Sequence, residues 1–130
     1  MNRKKYLISI ILSIPFLLYA CAESIEERAA REAKDYTRKF CPTPFINNIR
    51  TDSITFNEKN KTYTYYCTFG NILDDPEIIE ANRSMIEKIL MASIQESTSM
   101  KPYIEAGFHF KYICRSEKNS DKTLIEAAIQ

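Results

Sequence analysis

Apolar residues recur with helical spacing in two stretches of the chain. In residues 23–40 they fall three or four positions apart, which predicts a helix with one apolar face. That stripe consists of Ile25, Ala29, Ala33, Tyr36 and Phe40. A second helix is predicted to start with Asp75 as N-cap and Pro76 in the first turn, and to run to about Ser97. Its apolar stripe consists of Ile78, Ile79, Met85, Ile86, Ile89, Leu90 and Ile94.

Alternating apolar and polar residues predict four strands, and a short helical turn at 101–106 is expected to end at Gly107. The predicted strands cover 51–57, 62–69, 108–115 and 122–128. The first two form a hairpin around the polar turn 57–60. The order is α-β-β-α-β-β, which predicts an α+β domain with an antiparallel sheet, arranged as a simple meander, and helices on one face.

The first twenty residues have the composition of a secretory signal peptide. A basic start precedes an apolar run from Leu7 to Leu18, and a small residue, Ala20, closes the segment. The alternative is a retained membrane anchor. The 17 uncharged residues from Tyr6 to Ala22 fall just short of the roughly 20 that a spanning helix needs, and Pro15 interrupts them. We therefore predict a signal peptide at 1–20 and a single small domain at 21–130.

The signal ends in Leu18-Tyr19-Ala20-Cys21, which resembles the lipobox of bacterial lipoproteins. The resemblance implies that Cys21 becomes the first residue and carries the acyl chains that anchor the protein in a membrane. Ala22 after the cysteine implies, by the same resemblance, the outer membrane. Ordinary cleavage after Ala22 remains the alternative, because Ala20-Cys21-Ala22 also fits a signal peptidase site.

Removal of the signal changes the charge of the chain. The full sequence has 18 basic and 17 acidic residues, but three of the basic and none of the acidic residues lie in 1–20, which leaves a net charge of −2. A nearly neutral surface gives no electrostatic reason to expect nucleic acid as a partner.

The cysteines are interpreted through the predicted export. With Cys21 lipidated, three remain, and an oxidising compartment permits one disulfide among them. The meander would bring Cys41 close to Cys67, so we predict this pair and leave Cys114 as a buried thiol at the other end of the third strand. If Cys21 were not lipidated, four cysteines would allow two disulfides. Without a C-x-x-C pair, a structural role is favoured over redox chemistry or zinc binding.

Catalytic and metal-binding motifs are not found in the sequence. His109 is the single histidine, so neither a triad nor a multi-histidine metal site can be built, and we expect no metal and no cofactor. Asp74, Asp75 and Glu77 could bind a cation, but Pro76 between them favours a helix start. Arg50 and Asp52 are expected to form an ion pair at a strand end.

A binding surface remains as the candidate site. If one face of the sheet is open, four side chains on it could contact an anionic or aromatic partner. The alternative is that these side chains belong to an ordinary strand face exposed to solvent. These residues are Tyr66, His109, Lys111 and Arg115.

A further resemblance involves short motifs spread over most of the predicted domain. Cys41-Pro42, Arg50-x-Asp52-Ser53, Tyr63-x-Tyr65 and Gly107 followed by Tyr112 are similar to a loose group of small exported bacterial proteins of unknown function. The resemblance supports the element order and implies no activity. We therefore expect a non-enzymatic lipoprotein of the cell envelope that binds another envelope protein or polymer at the membrane surface. The alternative is an inhibitor or immunity-type protein that blocks an enzyme.

Overall fold

The computed structural model describes residues 22–129, and the α-β-β-α-β-β order is confirmed there, with a short additional helix before the third strand. The predicted signal peptide and Cys21 lie outside the described residues. The helices are α1 (Ile25–Phe40), α2 (Pro76–Gln95) and α3 (Lys101–Glu105), and a 3-10 turn covers Asn71–Leu73. The strands are β1 (Ile49–Asn57), β2 (Thr62–Phe69), β3 (His109–Ser116) and β4 (Thr123–Ile129).

The four strands form one sheet in the order β1-β2-β3-β4. The outer pairs, β1 with β2 and β3 with β4, are antiparallel as predicted. The central pair, β2 with β3, is parallel, so the sheet is mixed and the simple meander was wrong. The physical reason is the crossover through α2, since parallel neighbours need a long connection of this kind. As a consequence, Cys114 lies beside Cys67 and not at the far end of the sheet.

The helices of the described residues cover one face of the sheet. Ala29 and Ala33 are fully buried, and their small side chains let α1 lie close to β1. On the same face of the sheet, at its other edge, α2 packs on β4 through a stripe of buried side chains. The stripe consists of Ile79, Ile86, Leu90 and Ile94. Between the helices and the sheet lies the core, which includes Tyr63, Phe69, Tyr103, Phe110 and Ile125.

Side chains cap the starts of both long helices, and α1 begins two residues later than predicted, whereas α2 begins at the predicted Pro76. The Ser24 side chain caps α1 by accepting a hydrogen bond from the Glu27 amide, and Glu23 forms an ion pair with Arg31 at 2.6 Å. The Asp75 carboxylate caps α2 by accepting from the Glu77 amide at 2.9 Å. This confirms the interpretation of the acidic segment as a helix start. In residues 22–129 no group of three or more ligating side chains could hold a metal ion.

None of the helices described between residues 22 and 129 has both the length and the hydropathy of a membrane span.

Candidate functional site

A groove runs between α1 and α2 across the middle of the sheet. Because α1 stands over β1 and α2 over β4, the central strands are left as a floor between the two helices. The groove encloses a cavity of about 460 Å³. It is lined mainly by aromatic and hydroxyl side chains, which are Glu32, Tyr36, Thr51, Ile54, Tyr63, Tyr65, Ser93, Ile94, Ser97, Ser99, Met100 and Tyr112.

Three tyrosines form the floor of the groove. The rings of Tyr65 and Tyr112 are stacked with their centroids 4.8 Å apart, and Tyr63 packs beside Tyr65 at 5.6 Å. The Tyr112 hydroxyl is hydrogen-bonded to Ser93 of α2 at 3.0 Å. Burial raises the pKa of Tyr63 and of Tyr112 to about 12, and it raises the pKa of Tyr65 further. At neutral pH these phenols are therefore uncharged and can donate hydrogen bonds.

Glu32 is the one carboxylate that lines the groove, and it is already paired. Burial opposes its ionisation, but hydrogen bonds from the Tyr103 hydroxyl and from Arg28 outweigh that effect and hold the pKa of Glu32 below its usual value. The Arg28 Nε–Glu32 Oε1 distance is 2.9 Å. Glu32 is thus a fixed negative charge on the α1 wall, and its hydrogen bonds to α3 and to its own helix stabilise the groove.

Exposed apolar side chains lie on the two helices that flank the groove, and one of them, Tyr36, also lines it. On α1, Tyr36 is 40% and Phe40 59% exposed, and their rings lie 5.1 Å apart. On α2, Met85 is 55% and Ile89 57% exposed. Helical spacing places these two residues one and two turns before Ser93 on the same face. We call these four residues the apolar rim. All four belong to the apolar stripes predicted for the two helices, and their exposure shows that they are not part of the core.

The surface patch predicted from the sequence lies on the opposite face of the sheet, on which none of the helices within residues 22–129 packs. His109, Lys111 and Arg115 alternate along β3, and Tyr66 on β2 is in register with Ile113 between the last two. The Lys111 ammonium lies 2.6 Å from Glu126 of β4. The structure therefore brings the four predicted residues onto one face, with one of the cations paired. A binding role for this patch remains a prediction.

Arg50 and Asp52 form the predicted ion pair, with Nε and Oδ1 2.7 Å apart. The Arg50 guanidinium also lies over the Phe45 ring at 5.0 Å and donates to the Thr68 hydroxyl. These contacts attach the 41–48 loop to the open face of the sheet, so the pair serves the fold.

The described cysteines are all free thiols. Cys41 is half-buried at the end of α1, whereas Cys67 and Cys114 are fully buried. The predicted Cys41–Cys67 disulfide is not formed in this structure. The lipid on Cys21 remains a prediction. The proximity of Cys114 to Cys67 is new information, because it depends on the parallel pairing of β2 and β3.

The groove itself was missed by the sequence analysis. Alternation placed Tyr63, Tyr65 and Tyr112 on the face of the sheet that the helices cover, and that was correct. What the pattern did contain was an excess of phenol groups on a face expected to be apolar. Phenols need hydrogen-bond partners or a solvent-filled cleft when they point toward a core. That signal could have indicated an open groove between the helices.

Fold and groove together define a class of protein, a small α+β domain with two antiparallel helices standing apart over a mixed sheet. The chain belongs to a protein family described as a domain of unknown function (DUF8479), whose model matches residues 24–125. No curated protein matches the sequence.

Solved structures show the same fold at low sequence identity. A Pseudomonas aeruginosa protein described as secreted superimposes with a TM-score of 0.62 and 11% identity, covering 84% of this chain and 96% of that one. EpsS, the type II secretion system pilotin of Vibrio vulnificus, gives 0.60 and 9%, covering 81% and 86%. The Vibrio cholerae pilotin AspS gives 0.57 and 11%, covering 81% and 87%. At these identities the likeness concerns the fold.

Proposed function

We propose that this protein is a non-enzymatic adaptor of the bacterial cell envelope that holds an amphipathic helix of another envelope protein in the groove. The observation that carries the proposal is the apolar rim, which exposes large apolar side chains on both helices that flank the groove. Contiguous exposed apolar surface of this kind marks interaction sites in soluble domains. The shared fold of two type II secretion system pilotins supports an envelope role for such a domain.

The shape of the groove suits a helical segment. Its two walls are antiparallel helices, and a third helix laid between them would place apolar residues at i, i+3, i+4 and i+7 against Tyr36 and Phe40 on one side and Ile89 on the other. The floor offers the uncharged hydroxyls of Tyr65 and Tyr112. These can bond polar groups of the partner at little desolvation cost, because they need no counter-ion.

The chemistry of the groove favours binding over catalysis. Glu32 has both of its carboxylate oxygens engaged by Arg28 and Tyr103, so it is poorly placed to take a proton from a substrate. His109 lies on the opposite face of the sheet, in β3. The groove therefore presents apolar contacts and neutral hydroxyls without a free general base among its described lining residues.

Anchoring completes the proposal. The lipobox-like segment would attach Cys21 to the outer membrane, and the groove would then be displayed at the membrane surface. Several acyl chains are needed for stable attachment, since one chain binds only reversibly.

Site-specific photo-crosslinking tests the proposal. Benzoylphenylalanine is placed at Tyr36 or Ile89 on the apolar rim and, as a matched control, at Ile72, an isoleucine of similar exposure in the 3-10 turn at one end of the sheet. We expect the two rim positions to crosslink in cells to the same envelope protein, within one amphipathic segment identified by mass spectrometry. The Ile72 position should not.

A charged substitution in the rim should remove that product. We expect Ile89→Lys to abolish the Tyr36 crosslink and Ile72→Lys to preserve it. Equal crosslinking from all three positions, or none from the rim, would overturn the adaptor proposal. Crosslinking from the rim to the active site of an enzyme whose activity falls on binding would select the inhibitor alternative.

A further inference from the structure

Two cysteines occupy directly opposed positions in the sheet beneath the groove. Cys67 of β2 is in register with Cys114 of β3, and both point to the face that the helices cover. Neighbouring strands are about 4.7–4.9 Å apart, which lies within the Cα separation of roughly 4.4–6.8 Å that a disulfide requires. Cys67 is 2% and Cys114 0% exposed. The backbone therefore already holds the pair at bonding separation.

The two thiols influence each other's ionisation. Their interaction is the main reason that the pKa of Cys67 is lowered and that of Cys114 is raised, and burial raises the pKa of Cys114 further. This mutual effect agrees with the strand register, which places the two side chains next to each other.

Cys41 has no comparable partner position. It caps the C-terminus of α1 outside the sheet and is half-buried. Burial is the main cause that raises its pKa. Of the three cysteines among the described residues, Cys41 is the one that has no cysteine opposite it in the sheet.

We propose that Cys67 and Cys114 form a structural disulfide across the parallel pair β2–β3, and that Cys41 remains a free thiol. This replaces the Cys41–Cys67 pairing predicted from the sequence. The bond would form as β2 and β3 pair during folding, before the helices bury both sulfurs. That it forms in the cell rests on the export assumed in the proposed function.

The reaction is thiol–disulfide exchange with a disulfide oxidant such as oxidised glutathione or an oxidising protein disulfide. The Cys67 thiolate attacks one sulfur of the oxidant, and the oxidant's other sulfur leaves as a thiol. The Cys114 thiolate then attacks the Cys67 sulfur of the mixed disulfide and releases the second thiol. Two electrons and two protons pass from the cysteine pair to the oxidant.

The bond would hold the groove floor together. Parallel pairing is slightly weaker per residue than antiparallel pairing, and β2 and β3 are joined through the long crossover that contains α2. A disulfide between Cys67 and Cys114 would close the segment between them into a covalent loop, in the unfolded chain as well as in the folded one. By the loop-entropy argument, reduction should lower the melting temperature by on the order of 10 °C.

Disulfide mapping tests the pairing directly, because trypsin places each of the three cysteines in a different peptide. Cys41 falls in 40–50, Cys67 in 62–83 and Cys114 in 112–115. The full-length chain is unfolded and reduced, refolded in a glutathione redox buffer, unfolded again in denaturant that contains N-ethylmaleimide, and digested without reduction. We expect 62–83 linked to 112–115, with the maleimide on 40–50. A link between 40–50 and 62–83, or maleimide on all three peptides, would overturn the inference.

Two further measurements separate this inference from the proposed function. Cys41→Ser should preserve the link and the melting temperature, whereas Cys114→Ser should add Cys67 to Cys41 as a residue that the maleimide labels in the unfolded chain. The same digest is then made of protein isolated from cells that carry its own leader segment. A link in the refolded chain without one in the cell-derived protein would overturn the export assumption alone, and its absence from both would overturn the disulfide.

Discussion

The hydroxyl of Thr37 on α1 bonds to both backbone groups of Ile54 on the outer edge of β1. It accepts from the Ile54 amide at 2.8 Å and donates to the Ile54 carbonyl at 2.9 Å. The Thr37 side chain thus makes the two backbone hydrogen bonds that a neighbouring strand would otherwise make at Ile54. Further along the same edge, the Thr43 amide and hydroxyl make the equivalent bonds to Thr51. Unpaired edge strands invite pairing with other chains, and these two threonines block part of that edge.

We expect Thr37→Val to destabilise the fold by about 2 kcal/mol, because it leaves an amide and a carbonyl of Ile54 without partners while preserving side-chain shape. Urea unfolding measures the change. Thr37→Ser, which keeps the hydroxyl, should cost less than half as much. Equal stability of the valine variant and the wild type would contradict the role assigned to this hydroxyl.

Ala33 sets the distance between α1 and β1. Its side chain is almost fully buried, so Ala33→Leu should overpack the contact and cost about 1–3 kcal/mol. The same substitution at Ala81, an exposed position of α2, provides the control and should change stability by less than about 0.5 kcal/mol. Thermal unfolding of both variants distinguishes a packing effect from a general effect of leucine. Similar melting temperatures for the two would argue against close packing at Ala33.

Asp74 connects the start of α2 to the turn between β3 and β4. The Ser116 hydroxyl and the Lys118 amide donate to its two oxygens, and these bonds, the first above all, hold the pKa of Asp74 below its ordinary 3.8. Because the folded pKa lies below the unfolded one, this contribution is complete above about pH 4 and is lost as the pH falls through the folded value. We expect melting temperatures to fall between pH 4 and pH 2, and Asp74→Asn to weaken that dependence. An unchanged acid profile in the variant would refute it.

The floor tyrosines should determine the alkaline limit of stability. Tyr63 and Tyr112 have pKa values raised to about 12 by burial, above the usual 10. Their contribution is therefore complete below pH 10 and is lost as the pH rises through 12. We expect tyrosinate absorbance at 295 nm to rise late and together with loss of ellipticity near pH 12. Tyr112→Phe should move the loss of structure to higher pH. Full ionisation by pH 11 in a chain that is still folded would contradict the burial of these phenols.

Local features were predictable from the sequence because their causes are local. Strand β2 has the predicted bounds, since alternation of Tyr63, Tyr65 and Cys67 with threonines is visible in eight residues. The start of α2 followed from Asp75 and Pro76 alone. In each case a capping residue, a proline or the alternation of apolar and polar residues determines where the element lies, and no distant part of the chain is needed.

Features that depend on distant segments were not predictable in the same way. Parallel pairing of β2 with β3 is a property of the crossover, and the amphipathic pattern of β3 is the same in either direction. Helical phase shows that Tyr36 and Ile89 belong to apolar stripes, but it does not show how far apart α1 and α2 stand. That separation exposes both residues and creates the groove. Which residue lies opposite Cys114 depends on the direction of β3. Because that direction was predicted wrongly, the proximity of Cys114 to Cys67 was not predicted.

The ion pair between Glu23 and Arg31 connects the chain immediately before α1 to the helix itself. If Cys21 carries the proposed lipid, only three residues up to Ser24 separate the acyl chains from the helix, a reach of about 10 Å. Lys61, in the turn between β1 and β2, pairs with Glu26 at this same end. With such a lipid, the end of the domain where α1 begins would be held close to the bilayer, and Phe40, at the other end of the 16-residue helix, would lie away from it.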